Sequence, residues 1–183
     1  MIDLANKKII LTGGSRGIGL SILNEIYKLK AKILIIGTNQ ERLEDAKKQF
    51  PNIIIKNFNL SEHEHIEKNF KSYCEELGGI DVLINNAGIT KDNLALRMSF
   101  NEWKTVLDVN LHSTFLMTQN AIKFMLKNKS GSIINITSIV AHTGNPGQAN
   151  YTSSKAGVIA MSKSLAKEYA RKNIRINCIS PGF

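Results

Sequence analysis

The sequence predicts an α/β fold in which helices cover both faces of a doubly wound parallel sheet. Short apolar runs alternate with amphipathic stretches along the whole 183-residue chain. The runs are continuously apolar, as expected for strands buried on both faces, and do not alternate between apolar and polar residues. The length suits one domain, so we expect residues 1–183 to form a single domain of repeated strand–helix–strand units.

Six apolar runs are predicted to be the strands of this sheet. They lie at 8–12, 33–36, 53–55, 82–84, 133–136 and 174–179. Between them, apolar residues recur at the spacing of an amphipathic helix. This spacing predicts helices over about 18–29, 43–50, 66–77, 101–127 and 150–169. In such a sheet, a cofactor binds at the carboxyl ends of the strands, near the point where the strand order reverses.

The sequence ends at Phe183, shortly after the sixth predicted strand. An apolar strand at the edge of a parallel sheet is normally paired or covered. We therefore expect the sheet to be incomplete at this edge.

The charge of the chain favours neither nucleic acid nor a membrane as its partner. The formal net charge is +9, and a charge of this size attracts polyanions. The lysines, however, are spread over many segments and form no basic stripe interleaved with aromatic residues. No apolar run is long enough to span a membrane, and the N-terminus does not resemble a signal peptide. We expect a cytoplasmic protein.

The four histidines are expected to be surface or supporting residues rather than metal ligands. His63 and His65 face different sides of a predicted helix, and no further ligands cluster with them. His112 and His142 are isolated in the sequence as well. We therefore expect no metal site.

A glycine-rich turn between the first predicted strand and the first predicted helix indicates a dinucleotide site. It reads Thr-Gly-Gly-Ser-Arg-Gly-Ile-Gly over residues 12–19. Gly13 permits the tight turn, Gly17 lets the backbone approach a pyrophosphate, and Gly19 lets the helix pack against the sheet. The helix N-terminus adds N–H groups and a positive dipole end that favour phosphate. The spacing differs from the commoner G-x-G-x-x-G, but its position predicts a Rossmann-type domain.

The residues after the second predicted strand favour NADP(H) over NAD(H). An acidic residue there would bind the ribose hydroxyls of NAD, whereas this chain has Gly37, Thr38 and Asn39. Arg16, in the glycine turn, is placed to meet a 2′-phosphate. The alternative is that Arg16 is an ordinary solvated side chain.

Tyr151 and Lys155 form a candidate acid/base pair. Their i,i+4 spacing on a predicted helix places both side chains on one face. A tyrosine ordinarily has a pKa of about 10, and a nearby ammonium group lowers that pKa because it favours the phenolate. We therefore expect Lys155 to lower the pKa of Tyr151 and make it a tuned acid/base. The Y-x-x-x-K spacing is common, so its significance depends on the residues around it.

Taken in order, these motifs resemble those of the short-chain dehydrogenase/reductase family over the whole chain. The turn at 12–19 is similar to the family's cofactor turn, and residues 85–88 (Asn-Asn-Ala-Gly) are similar to its motif after the fourth strand, which steadies the sheet and borders the adenosine. The family's catalytic tetrad falls on Asn110, Ser138, Tyr151 and Lys155. The resemblance implies cofactor contacts by Gly13, Ser15, Arg16, Gly17, Ile18, Gly19, Thr38, Asn59, Leu60, Asn86, Ala87, Gly88, Tyr151, Lys155, Pro181 and Gly182.

Two longer stretches narrow the resemblance to bacterial 3-oxoacyl-[acyl-carrier-protein] reductases. They are residues 86–98, which begin Asn-Ala-Gly-Ile-Thr-Lys-Asp-Asn-Leu, and residues 144–151, Gly-Asn-Pro-Gly-Gln-Ala-Asn-Tyr. The resemblance implies reduction of a 3-oxoacyl thioester by NADPH in type II fatty-acid synthesis. Two alternatives stay open: a related reductase acting on an acyl-CoA or another ketone or alcohol, and an inactive Rossmann fragment that serves as a binding subunit.

The resemblance also implies a role for each residue of the tetrad. The nicotinamide gives a hydride to the C3 carbonyl carbon, and Ser138 hydrogen-bonds the carbonyl oxygen on which charge develops. Tyr151 delivers the proton, while Lys155 lowers the pKa of Tyr151 and binds the nicotinamide ribose. Asn110 holds a water that links Lys155 to solvent.

The implied partner is an acyl carrier protein, a strongly acidic protein. Lys129, Arg171 and Lys172 lie at predicted helix ends, where we expect them to flank the active-site mouth and help to dock the carrier. Surface charge with no partner is the alternative for each. The two long predicted helices, 101–127 and 150–169, imply a homotetramer for the complete enzyme. The family resemblance also implies that a C-terminal helix and an edge strand are lacking.

Overall fold

The computed structural model, which describes residues 3–182, contains a six-stranded parallel sheet with helices on both faces. The strands are β1 (Lys8–Thr12), β2 (Lys32–Gly37), β3 (Ile54–Asn57), β4 (Val82–Asn85), β5 (Gly131–Ile136) and β6 (Ile174–Ile179). The α-helices are α1 (Gly17–Lys28), α2 (Gln40–Gln49), α3 (His63–Leu77), α4 (Phe100–Leu107), α5 (Ser113–Asn128), α6 (Val140–Thr143) and α7 (Ala149–Tyr169). A π-helical turn (Asp108–His112) joins α4 to α5, and a 3₁₀ turn (Ala170–Lys172) follows α7.

The order of the strands places the switch point of the sheet between β1 and β4. The order is β3-β2-β1-β4-β5-β6, and every neighbouring pair is parallel. Leu11 is the register partner of Ile35 on one side and of Ile84 on the other. The doubly wound parallel sheet predicted from the sequence is therefore confirmed, and its cofactor crevice is expected beyond the ends of β1 and β4.

Helices on both faces of the sheet explain why the inner strands are continuously apolar. Ile10, Leu34 and Leu83 pack with side chains of α3 and α5 on one face. Ile9 and Leu11 pack with side chains of α1 and α2 on the other face. Successive residues of a strand point to opposite faces, so a strand covered on both sides needs an apolar residue at nearly every position. β6 differs from the prediction: it lies at the end of the strand order and alternates buried apolar residues with the exposed Arg175 and Asn177.

Local signals set several helix boundaries. Asn39 caps α2, because its side chain accepts a hydrogen bond from the backbone N–H of Arg42 at 2.8 Å. Ser99 and Glu102 form a capping box at the start of α4. Gly78 ends α3 in the left-handed conformation, with φ of 80°.

Most elements differ from the sequence prediction by one to three residues at an end, and three differences are instructive. The third strand begins one residue later than predicted and extends to Asn57. The helix predicted over 101–127 contains the π turn, because apolar periodicity does not resolve a single turn of altered pitch. The short helix α6 was not predicted, since its four residues are too few to show a period. Within residues 3–182, no helix is long and apolar enough to cross a membrane.

Candidate active site

The glycine turn after β1 forms a closely packed cradle at the N-terminus of α1. Gly13 has a φ of 67°, a conformation that L side chains rarely adopt. A Cβ atom on Gly19 would lie 2.0 Å from the carbonyl oxygen of Gly13, so no side chain fits there. Since the first N–H groups of a helix have no intrahelical partner, this turn can bring them close to an anion.

Asn86 joins the glycine turn to the end of β4. Its side-chain Nδ2 donates to the carbonyl oxygens of Thr12 and Gly13, each at 3.0 Å. The hydroxyl oxygen of Thr12 accepts hydrogen bonds from the backbone N–H groups of Asn86 and Ala87, at 3.0 and 2.9 Å. These bonds hold β1 and β4 together at the switch point, where the sequence motif was expected to steady the sheet.

A cleft of about 1130 Å³ runs along the carboxyl ends of β1 to β4. Its lining includes the predicted cofactor residues Gly13, Ser15, Arg16, Gly17, Ile18, Gly19, Thr38, Asn59, Leu60, Asn86, Ala87 and Gly88. The volume lies slightly above the range of roughly 300–1,000 Å³ for small-molecule pockets. The cleft therefore has the position and the size that an extended dinucleotide requires.

Sequence reasoning missed two residues of the cleft wall next to β2. Asn39 and Arg42 line the cleft together with Thr38 and Arg16. The cap that Asn39 forms on α2 holds the first turn of this helix, which carries Arg42, beside the cleft. The spacing of Arg42 four residues after Thr38 was the available signal in the sequence. Among the described residues of the lining, the one acidic side chain is Glu62, at the N-cap of α3.

A second cavity of about 470 Å³ opens beside the first. Ser138, Tyr151 and Lys155 line this cavity together with Pro181 and Gly182. The residues that line both cavities are Arg16, Ile18, Asn86, Gly88 and Ile89. The two cavities therefore form one continuous site, in which the fold brings together predicted residues from seven separate segments of the sequence.

Lys155 is the buried cation of this site. The residue is 4% exposed, and its Nζ donates to the carbonyl oxygen of Ile136 at 2.8 Å. Burial lowers the pKa of Lys155 to about 8, and the nearby thiol of Cys178 opposes this change. A Cβ atom on Gly88 would lie 3.4 Å from Nζ of Lys155 and 3.4 Å from Oδ1 of Asn110. Gly88 therefore keeps the space beside these two groups open.

The pKa of Tyr151 is raised, although the sequence predicted that Lys155 would lower it. Burial of the half-buried phenol is the main cause; hydrogen bonding with Ser138 lowers the pKa, and the negative charge of Asp92 raises it. Nζ of Lys155 lies 5.8 Å from the centre of the Tyr151 ring, and its hydrogen bond goes to Ile136. The prediction was wrong, because burial is the largest effect on this pKa and the charged group that shifts it is Asp92, which raises it.

Asn110 is fully buried in the π turn, and its side-chain amide is hydrogen-bonded to other groups of the protein. Nδ2 donates to the carbonyl oxygen of Ile89 at 2.9 Å and to Oγ of Ser154 at 3.1 Å. Oδ1 accepts from the backbone N–H of Ile89 at 2.9 Å. Both N–H donors of the amide are thus used, so they are not available to hold the expected water. The bonds fix the loop after β4 to the π turn and to α7.

Ser138 lies just beyond the end of β5 and faces the second cavity. Its Oγ accepts a long hydrogen bond, 3.4 Å, from the backbone N–H of Val140. Because Oγ is the acceptor in that bond, the hydroxyl proton is left for another partner. The next residue, Ile139, donates its N–H to the carbonyl oxygen of Pro181 at 2.9 Å, which joins this turn to the segment after β6.

Three basic residues that were expected at the active-site mouth lie at the amino ends of β5 and β6, opposite the carboxyl ends where the cleft lies. Lys129 is the C-cap of α5, just before β5, and Arg171 and Lys172 lie in the 3₁₀ turn before β6. The two segments meet there, since the N–H of Gly131 donates to the carbonyl oxygen of Asn173 at 3.2 Å. Ser138, Pro181 and Gly182, which line the second cavity, follow the other ends of these strands, roughly 20 Å away. The prediction that these cations flank the mouth of the same subunit is therefore wrong.

The expectation that no further ligand clusters with His63 was also wrong. His63, Asp108 and His112 each offer one potential ligand atom, and these atoms all lie within 4.8 Å of one another. His63 and Asp108 are 45 positions apart in the sequence, which is why sequence spacing did not reveal the cluster. His65 and His142 are not members of it.

Comparison with known proteins identifies the family. Residues 7–183 match the family model for short chain dehydrogenase. Two 3-oxoacyl-[acyl-carrier-protein] reductases named FabG, from Chlamydia pneumoniae and Rickettsia bellii (strain RML369-C), are 44% and 46% identical over 186 and 184 residues. Nodulation protein G of Rhizobium sp. (strain N33) is 44% identical over 190 residues. Each alignment covers 100% of this chain and 75% of the relative.

A solved structure has the same fold. The crystal structure of a protein from Sinorhizobium meliloti 1021, provisionally assigned as a short-chain alcohol dehydrogenase, matches with a TM-score of 0.95 and 29% sequence identity. The match covers 99% of this chain and 73% of that chain. Sequence, fold and site geometry agree, and the chain belongs to the short-chain dehydrogenase/reductase family of nicotinamide-dependent oxidoreductases.

Proposed function

We propose that this chain reduces 3-oxoacyl-[acyl-carrier-protein] to 3-hydroxyacyl-[acyl-carrier-protein] with NADPH, as in type II fatty-acid synthesis. The observation that carries the proposal is the single cavity that Ser138, Tyr151 and Lys155 share at the end of the dinucleotide cleft. The relatives named as 3-oxoacyl-[acyl-carrier-protein] reductases support the substrate class.

The shape of the cleft suits a dinucleotide, and the positive charge of its lining favours NADPH. The glycine turn has no room for a side chain at Gly19, so a pyrophosphate would meet backbone N–H groups there. Arg16 and Arg42 line the cleft beside Thr38, where NAD-binding proteins of this fold carry an acidic residue. The two guanidinium groups would pair with the 2′-phosphate of NADPH. Pro181 and Gly182 would border its nicotinamide end.

The catalytic groups are suited to stabilise and protonate a carbonyl oxygen. When bound, NADPH supplies the hydride that the C3 carbonyl carbon accepts. Ser138 donates a hydrogen bond to the carbonyl oxygen, on which negative charge develops. Tyr151 transfers its phenolic proton to the same oxygen, and the 3-hydroxyl group is formed. Tyr151 is protonated at neutral pH, and its raised pKa keeps it in this neutral form, which is the form that donates a proton.

Lys155 and Asn110 support this proton transfer. The ammonium group of Lys155 stabilises the phenolate that remains on Tyr151, and it would also hold the nicotinamide ribose. Asn110 bonds to Ser154, the neighbour of Lys155 on α7, and to Ile89 on the loop after β4. It therefore acts as a positioning residue for the catalytic helix. A water between Lys155 and solvent would return a proton to Tyr151.

The proposal extends to the partners and setting of the enzyme. We infer that the substrate is delivered by an acidic acyl carrier protein, that the enzyme is cytoplasmic, and that residues 1–183 form one cofactor-binding domain. The complete enzyme is proposed to be a homotetramer. Phe115 and Leu126 on α5 support this, because they are 40% and 38% exposed and offer an apolar surface to a second subunit.

The test follows NADPH absorbance with acetoacetyl-[acyl-carrier-protein] as substrate, for the wild-type chain and for Tyr151→Phe. We expect turnover by the wild type and a loss of about 10² to 10⁴-fold in the variant, because the general acid is removed. NADPH binding, measured by fluorescence, should be retained. Tyr169→Phe, at the far end of the same helix, is the matched control and should leave turnover unchanged.

Each alternative function gives a different result in this assay. Turnover with acetoacetyl-CoA or a simple ketone, but not with the carrier-bound substrate, would support a related reductase of another substrate class. NADPH binding without turnover of any of these substrates would contradict an enzymatic role and support a binding subunit.

A further inference from the structure

A cluster of potential metal ligands lies where α3 meets the π turn, outside the catalytic cavity. His63 is the first residue of α3, and Asp108 and His112 are the first and last residues of the π turn. One ligand atom from each residue lies within 4.8 Å of the other two. None of the three residues lines the cofactor cleft or the second cavity, so the proposed function does not use them.

Hydrogen bonds already hold these three residues close together. Nδ1 of His112 and Oδ1 of Asp108 are 3.0 Å apart, and Nε2 of His63 lies 2.9 Å from the backbone carbonyl oxygen of Asp108. The two imidazole rings stand edge to face, with their centroids 5.9 Å apart. The Asp108 side chain is 16% exposed and the His112 side chain is 52% exposed. The carboxylate is therefore held in place, while one side of the cluster is open to solvent.

We propose that His63, Asp108 and His112 form a binding site for a divalent ion of the zinc class, with water completing its coordination. Two imidazole nitrogens and one carboxylate oxygen are ligands that Zn²⁺ accepts, whereas Ca²⁺ and Mg²⁺ prefer oxygen ligands alone. Ligand atoms around a tetrahedral zinc ion lie roughly 3.3 Å apart, given zinc–ligand distances of about 2.0–2.1 Å. The three ligand atoms lie within 4.8 Å of one another, so the side chains must close by at most about 1.5 Å to hold the ion at that separation.

Lys104 competes with the ion for Asp108. Its Nζ lies 2.5 Å from Oδ2 of Asp108, one helical turn away. The ammonium group repels a divalent cation, and it occupies the oxygen that does not face His112. The Lys104 side chain is 61% exposed, so it can move into solvent when an ion binds. Removal of this positive charge is therefore expected to strengthen metal binding.

A bound ion would connect the start of α3 to the turn that carries Asn110. Asn110 lies between Asp108 and His112 in the π turn. Because the ligands come from two separate elements, an ion that binds only the folded chain stabilises it by an amount that grows with the logarithm of the ion concentration once this exceeds Kd. We expect Zn²⁺ to raise Tm.

The test measures Zn²⁺ affinity by competition with a chromophoric chelator at neutral pH, using the whole chain. We expect the wild type to bind one equivalent, and His63→Gln and His112→Gln to weaken the affinity by about ten-fold or more, because each removes a ligand. His65→Gln, on the same helix but outside the cluster, is the matched control and should leave the affinity unchanged. Lys104→Gln should strengthen the affinity several-fold.

A second readout separates a metal site from a merely structural role of the histidines. Co²⁺ in place of Zn²⁺ reports its ligands through its visible absorption, which should appear with the wild type and with Lys104→Gln and disappear with His112→Gln. NADPH binding by the same samples verifies that each variant is folded. The proposal is overturned if the wild type binds no Zn²⁺ below roughly 1 mM. It is also overturned if Lys104→Gln weakens binding, or if His65→Gln weakens it as much as His112→Gln does.

Discussion

Nζ of Lys155 lies 5.8 Å from the centre of the Tyr151 ring, and its hydrogen bond goes to the carbonyl oxygen of Ile136. Burial raises the pKa of Tyr151 and lowers the pKa of Lys155 to about 8. The two shifts have opposite directions because burial disfavours the charged form of each group. At neutral pH the pair is therefore a neutral phenol beside an ammonium group, the state that can donate a proton to a carbonyl oxygen.

The pH dependence of the proposed reduction should follow the titration of Lys155. The value of kcat/KM reports ionisations of the free enzyme, so we expect it to be constant near neutral pH and to fall above a pH of about 8. Lys155→Arg retains a cation at every accessible pH. This variant should be slower than the wild type but should lack the decline near pH 8. A wild-type profile that stays flat well into the alkaline range would show that the charge of Lys155 is not required.

The burial of Lys155 should also make stability depend on pH. Its pKa is about 8 in the folded protein and 10.5 for an ordinary lysine. Between these values the unfolded chain binds a proton that the folded chain does not, so the free energy of unfolding rises with pH. Across this pH window, the free energy of unfolding of the wild type should rise by up to about 3 kcal/mol relative to that of Lys155→Met, which has no amino group at this position.

Urea unfolding of the wild type and of Lys155→Met at several pH values measures this difference. Lys155→Met also removes the hydrogen bond to Ile136, and this second effect does not vary with pH. The change in the difference between pH 8 and 10.5 is therefore the diagnostic quantity. A difference that is constant over this range would mean that the ammonium group is solvated in the folded chain.

The choice between NADPH and NADH should depend on Arg16 and Arg42. Both guanidinium groups line the cleft beside Thr38, and a hydrogen bond to a charged group contributes about 1.5–3 kcal/mol. We expect Arg16→Ala and Arg42→Ala each to raise the Kd for NADPH by about ten-fold or more and to leave the Kd for NADH nearly unchanged. Arg171→Ala, in the 3₁₀ turn before β6 and far from the cleft, is the control and should leave the Kd for NADPH unchanged. An equal loss of affinity for both cofactors would contradict a contact with the 2′-phosphate.

The glycine turn should not tolerate a methyl group at Gly19. The added Cβ would lie 2.0 Å from the carbonyl oxygen of Gly13, so the turn would have to move. We expect Gly19→Ala to cost about 1–3 kcal/mol of stability in urea unfolding and to weaken NADPH binding at least several-fold. Ser21→Ala, on the exposed side of the same helix, should change stability by less than about 0.5 kcal/mol. Unchanged NADPH binding by Gly19→Ala would argue against close packing of the turn.

The parts of the fold that were predicted correctly depend on residues near one another in the chain. Five of the six strands contain a consecutive apolar run, whereas β6 alternates apolar and polar residues (Ile-Arg-Ile-Asn-Cys-Ile). The glycine turn is a continuous segment between a strand and a helix. Tyr151 and Lys155 are one helical turn apart on α7. Their arrangement follows from backbone periodicity alone, because a helix or a strand places neighbouring side chains in the same way in every protein.

Long-range polar contacts were not predictable in this way. Asn135 looked like an interruption of the apolar strand β5, yet it is fully buried and hydrogen-bonded at both ends of its amide. Its Oδ1 accepts from Nδ2 of Asn85 at 2.8 Å, and its Nδ2 donates to Oγ of Ser162 at 2.8 Å. The partners lie 50 and 27 positions away. A buried polar group needs such partners, but the sequence does not say which residues supply them.

Local patterns were therefore sufficient for most of the strands and for the position of the glycine turn between β1 and α1. The tertiary structure decided how the predicted catalytic side chains behave. In the folded chain the Lys155 ammonium donates a hydrogen bond to the carbonyl oxygen of Ile136, burial raises the pKa of Tyr151, and the side chain of Asn110 is hydrogen-bonded to protein groups. It also brought His63 to the π turn. The reason is physical: pKa values, hydrogen-bond partners and ligand clusters depend on burial and on distances between residues remote in the chain, and these exist only once the helices have packed on the sheet.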